Sequence, residues 1–61
     1  MERPKDFDPE EFKTTAKGLP HHCFEIALGR AFILSTNDNA DPFEKERFDL
    51  LCEVDTERRR A

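Results

Sequence analysis

The sequence is poor in several residue types on which small proteins depend. Its 61 residues include no tryptophan or tyrosine, two glycines and two cysteines. Two cysteines are too few for a disulfide-stapled secreted scaffold, and the glycines form no phosphate-binding loop. No apolar run approaches the roughly 20 residues of a membrane span, and the charged first residues do not resemble a signal peptide. These absences predict a cytoplasmic, non-enzymatic protein with reduced thiols, no cofactor and no membrane contact.

The length predicts a single small domain over residues 1–61, at the lower limit of what folds unaided. Ordering the chain costs roughly 1.5 kcal/mol per residue, which burial in so small a domain barely exceeds. We therefore expect support from a homodimer or from docking on a larger protein. The net charge of −4 argues against direct nucleic-acid binding and favours a partner with a basic surface.

A helix-start signature occurs twice, as Asp-Pro-x-Glu beginning at Asp8 and at Asp41. In each copy the Asp side chain can cap the first turn, the Pro occupies a position that needs no N–H, and the Glu can reach back to the cap. The first copy also has Phe7 and Phe12 at the spacing of a hydrophobic staple. Both sites are therefore predicted to begin helices.

The limits of these two helices follow from the residues around them. The first is predicted over about 9–17, since Gly18 and the proline after it end a helix. The second runs over about 42–59, after a loop of serine, threonine, asparagine and aspartate residues. Residues 1–6 are predicted to form a flexible arm.

The middle of the chain has two interpretations. Nine of the twelve residues in 23–34 are apolar. A helix over about 21–34 would be apolar nearly all round and therefore central and buried. The alternative is an α-β-hairpin-α fold with strands at 24–28 and 31–35 that turn at Gly29. Because a lone two-stranded ribbon is marginal in water, we favour an all-α, three-helix domain with this helix between the other two.

The last helix carries a run of charged residues at helical spacing, which is either a solvated face or a docking surface. We predict a small acidic regulatory or inhibitor protein, for example one borne by a phage, that binds a larger protein through this face. The candidate partner-binding residues are Glu46, Arg47, Asp49, Glu53 and Glu57. The arginines at 58–60 are predicted to complement the negative end of the helix dipole.

A metal or redox site is the least favoured interpretation. His22 and Cys23 are adjacent, and Cys52 is far along the chain. Adjacent side chains point in different directions, and no spacing typical of zinc ligands is present. We therefore predict no metal, with these three residues as the weak candidates for a zinc or redox sensor.

The segment from Asp41 to Leu51 reads Asp-Pro-Phe-Glu-Lys-Glu-Arg-Phe-Asp-Leu-Leu. It resembles a segment of the helical N-terminal domain that precedes the catalytic domain in some Nudix hydrolases, and the resemblance covers residues 26–54. The Nudix catalytic box is absent, so no catalytic residue is carried over. The resemblance implies a helical accessory or dimerisation subunit associated with a Nudix-type hydrolase.

Overall fold

The computed structural model describes residues 4–60, which form three helices joined by short loops. They are α1 (Pro9–Lys17), α2 (His21–Thr36) and α3 (Pro42–Arg60). The all-α prediction is confirmed, and the alternative hairpin is wrong because both of its strand segments lie within α2. A helix satisfies its own backbone groups and packs its apolar side on α3, whereas a lone ribbon would lack a sheet to join. No helix in the described range is long and apolar enough to cross a membrane.

The two predicted helix starts are capped by aspartate. Asp8 Oδ1 accepts a hydrogen bond of 3.0 Å from the backbone N–H of Glu10, and Asp41 Oδ1 accepts one of 3.0 Å from that of Glu44. Helices α1 and α3 therefore begin at the prolines that follow these caps. Gly18 closes α1 as predicted, with a right-handed φ of −82° that other residues also adopt.

The staple at the start of α1 also contacts α3. The ring centroid of Phe7 lies 5.7 Å from that of Phe12 and 4.9 Å from that of Phe43, nearly edge-on. The backbone N–H of Phe7 donates to the carbonyl oxygen of Pro4 at 3.2 Å. Part of the arm predicted over 1–6 is thus a turn, and its residues 1–3 lie outside the described range.

The central helix is α3, so the prediction that α2 lies between the other two is wrong. Helix α3 packs against both α1 and α2, which make few contacts with each other. It can do so because it presents apolar side chains to both neighbours. Phe48 lies 5.6 Å from Phe32 of α2 between ring centroids, and Phe43 lies near the start of α1. The buried core consists of Ala16, Phe24, Leu51 and Val54.

Arg58 links the three helices. Its Nη1 donates to the carbonyl oxygens of Ala16 at 3.2 Å, Lys17 at 3.1 Å and Leu19 at 2.9 Å. Its guanidinium lies 4.5 Å from the centre of the Phe24 ring. The carbonyl groups at the end of a helix lack partners within it and carry partial negative charge. Arg58 therefore compensates the negative charge at the end of α1. The sequence predicted instead that the arginines at 58–60 complement the negative end of the α3 dipole.

Candidate functional site

The most exposed apolar surface of the described chain lies on α2. Four large hydrophobic side chains of this helix are exposed, and we refer to them as the α2 face: Ile26 (49%), Phe32 (53%), Ile33 (68%) and Leu34 (44%). Among the sixteen residues of α2, the only carboxylate is Glu25 and the only lysine or arginine is Arg30. Ile26 and Ile33 point to the same side of the helix, and Leu34 and Phe32 lie on its two flanks. Exposed apolar side chains that lie side by side mark binding surfaces in soluble proteins.

The position of the α2 face follows from helix geometry. Phe24 is almost completely buried against α3 and Arg58. Ile33 is nine residues further along, which is two and a half turns, and therefore points away from the core. Ile26, two residues after Phe24, also points outward. Helix α2 is apolar on both sides, and a three-helix chain covers only one of them.

A groove runs between α1 and α2 beside the α2 face. Its volume is about 440 Å³, and it is open to solvent. Phe12 and Leu19 line it from α1 and from the loop after α1, and Leu51 and Arg47 line it from α3. Ile26 and Leu34 line it from α2, so the groove extends the apolar surface of that helix toward the core.

A second groove lies on the other flank of α2, with a volume of about 830 Å³. Phe32 and Phe48 line it together with Cys52 and Asp55. Burial is the main cause that raises the pKa of the Cys52 thiol, and the neighbouring carboxylates of Asp49 and Asp55 raise it further. Cys52 is therefore less ionised at neutral pH than an ordinary thiol and correspondingly less reactive.

The structure does not bring the weak metal candidates together. Cys23 lines the groove between α1 and α2, whereas Cys52 lines the second groove. Both thiols are free, and His22 is exposed. Within residues 4–60, no three side chains of histidine, cysteine, aspartate or glutamate are placed to hold one metal ion.

Two of the predicted partner-binding carboxylates contact α1. Lys13 Nζ lies 3.3 Å from Glu53 Oε2, and Lys17 Nζ lies 2.8 Å from Glu57 Oε2. The hydrogen bond to Glu53 raises the pKa of Lys13, and the hydrogen bond from Lys17 lowers the pKa of Glu57. These carboxylates help to hold α1 on α3, although they remain accessible to solvent.

The other three predicted residues differ in their surroundings. Arg47 is half-buried, with its guanidinium 4.9 Å from the centre of the Phe43 ring, and its Nε is buried without a hydrogen-bond partner among the described residues. Glu46 is half-buried, whereas Asp49 is exposed. The five residues therefore do not form one uniform acidic surface, and their role in docking stays a prediction.

Sequence reasoning missed the α2 face because it treated a helix that is apolar all round as a buried one. The available signal was the shortage of chain to cover it. Helix α1 has nine residues, and its buried side chain Ala16 belongs to a core cluster with Leu51 and Val54 of α3 and Phe24 near the start of α2. No other described segment can cover the outward side of Ile26 and Ile33.

Comparison with known proteins gives no relative from which a function could be inferred. No family model, curated protein or solved structure matches this chain. The resemblance of residues 26–54 to the accessory domain of Nudix hydrolases therefore stays a prediction.

Proposed function

We propose that this protein is a non-enzymatic interaction module that binds a helix of another protein chain through the α2 face. The observation that carries the proposal is the exposure of four large hydrophobic side chains on one helix. Burying a large apolar side chain completely contributes about 1.5–3 kcal/mol. Because these side chains are roughly half exposed, covering them would contribute about 1 kcal/mol each.

A module of this kind acts by occupying a surface of its partner, which is how a small regulatory or inhibitor protein works. The net charge of −4 would add long-range attraction to a partner with a basic surface. The charged residues of α3 are a second candidate surface, and Asp49 is its clearest exposed member. The two surfaces make different predictions about which positions lie close to the partner.

Site-specific photo-crosslinking in host cells tests the proposal. Ile33, or Asp49 in a parallel experiment, is replaced by p-benzoylphenylalanine, and covalent adducts are identified by mass spectrometry. We expect a discrete adduct from position 33 that disappears when Ile26→Glu is added, because a charge beside Ile33 must be desolvated in the complex. Circular dichroism verifies that each variant remains helical.

The pattern of adducts decides between the surfaces. Adducts from position 49 alone would move the binding surface to the charged side of α3. A lack of adducts from both positions would refute an interaction module of either kind.

A further inference from the structure

Resting on the proposed function, we infer that the helix covering the α2 face belongs to a second copy of this chain, with the two α2 helices parallel about a two-fold axis. Four features of the outward side of α2 support this arrangement: the spacing of its isoleucines, the glycine between them, the charges on its flanks and its lack of net charge.

The isoleucines have the spacing of a short helix–helix interface. We call the outward strip formed by Ile26, Gly29 and Ile33 the seam. Ile26 and Ile33 are seven residues apart, and Gly29 follows Ile26 by three. This is the a–d–a order of a heptad. In parallel dimers a β-branched residue at a is combined with leucine at d, and here Gly29 takes the d position. Both isoleucines are about half exposed or more, so the seam is accessible in the single chain.

The packing of the described residues does not require a glycine at position 29. A Cβ at this position would meet nothing within 4 Å, so no neighbouring segment requires a glycine. Glycine in the middle of a helix is destabilising relative to alanine. Its place between two exposed isoleucines would allow the backbone of a second helix to approach closely at the seam.

The positions of the two charged side chains on α2 favour a parallel pairing with a second copy. Glu25 and Arg30 lie on opposite flanks of the seam, five residues apart, at the positions called g and e in a heptad. In a parallel two-fold pair, Glu25 of each copy faces Arg30 of the other, and the contact forms twice. An antiparallel pair would bring like flanks together, so Glu25 would not face Arg30 of the other copy. Within the single chain, Glu25 Oε1 lies 3.0 Å from Nε2 of His21, one turn earlier.

The charge balance also allows two acidic molecules to meet here. The chain has a net charge of −4, but Glu25 and Arg30 cancel within α2. The surplus of carboxylates lies on α3, on the loop before it and on the segment before α1. The seam is shorter than a standard interface, which buries about 800 Å² per partner. We therefore expect a weak dimer that forms between about 10 µM and 1 mM.

Sedimentation equilibrium of the full chain tests the inference. We expect the wild type to approach twice the monomer mass as its concentration rises, and Ile33→Glu to remain monomeric. Glu25→Arg and Arg30→Glu should each weaken association by about tenfold or more, because each change creates two like-charged contacts. An equimolar mixture of these two variants should recover the dimer, since every contact in the mixed pair is again between opposite charges.

The controls make the same change of charge on exposed positions of α3. Asp49→Arg matches Glu25→Arg, and Lys45→Glu matches Arg30→Glu. Both controls should associate as the wild type does, and circular dichroism establishes that all variants are helical.

The outcomes separate this inference from the proposed function. The parallel pair is overturned if the wild type stays monomeric up to about 1 mM. It is also overturned if Glu25→Arg and Arg30→Glu leave the dissociation constant of the dimer unchanged. If the chain is monomeric while position 33 still crosslinks to a different protein, the second copy is rejected and the interaction module stands. If position 33 gives no adduct of either kind, both fail.

Discussion

At the scale of single residues, Arg58 is the point where the three helices meet. It donates to the carbonyl groups of Ala16 and Lys17 at the end of α1 and to that of Leu19 just after it. Its guanidinium also lies over the ring of Phe24 in α2. A guanidinium suits this place because it is planar, always charged and able to stack on an aromatic ring. One side chain thus satisfies the polar end of one helix and closes the core beside another.

We expect Arg58→Ala to lower the free energy of unfolding by about 2 kcal/mol, because it removes a charged donor from half-buried carbonyl groups. Arg58→Lys should restore only part of this loss, since an ammonium group is a compact charge without a stacking face. Urea unfolding followed by circular dichroism measures both. Arg59→Ala is the matched control, because the exposed Arg59 pairs with Asp55 on its own helix, and the loss of this pair should cost about 0.5 kcal/mol or less. Equal losses from Arg58→Ala and Arg59→Ala would contradict this role.

At the scale of the helices, the attachment of α1 to α3 depends on pH through two lysine–glutamate pairs. The pKa of Glu57 is lower in the folded chain, so its contribution to stability is present above the unfolded value of about 4.3 and disappears as the pH falls through the folded value. The pKa of Lys13 is raised, so its contribution is present below about 10.4 and disappears as the pH rises through the folded value.

We expect the thermal midpoint of the wild type to fall between about pH 6 and pH 3, and to fall less steeply in Glu57→Gln, which has no charge to lose. Thermal unfolding at a series of pH values measures the two slopes. Asp49→Asn is the control, because it removes an exposed carboxylate in the middle of α3, outside the two ion pairs, and should keep the wild-type slope. If the thermal midpoints of the wild type and of Glu57→Gln change with pH in parallel, the charge of Glu57 does not contribute to stability as proposed.

The limits of the helices could be predicted from the sequence, and their arrangement could not. Capping is local, so Asp8 and Asp41 marked the starts of α1 and α3. The packing order depends on which apolar sides meet, and α2 has no polar side to mark its outward direction. Spacing likewise placed Glu53 and Glu57 on α3 but contained no information that lysines of α1 lie within reach of them.

At the scale of the whole molecule, the core is too small to hold all the apolar side chains of the chain. Among the described residues, four hydrophobic side chains are buried, and four large ones on α2 are exposed. Folding of so small a domain is marginal by itself. Anything that binds the folded state alone raises its stability with concentration. A second copy on the α2 face would therefore complete the burial that the single chain leaves unfinished.

We accordingly expect the thermal midpoint of the wild type to rise with protein concentration over the range in which the dimer forms. Ile33→Glu should remove this dependence and leave the midpoint at low concentration unchanged, because Ile33 makes little contact with the core. Val54→Ala should lower the midpoint at every concentration, since it removes about 2 kcal/mol of packing from a completely buried site. Calorimetry over a dilution series of the three proteins separates the effects. A wild-type midpoint that does not change with concentration would show that the single chain is the stable unit and would overturn the dimer.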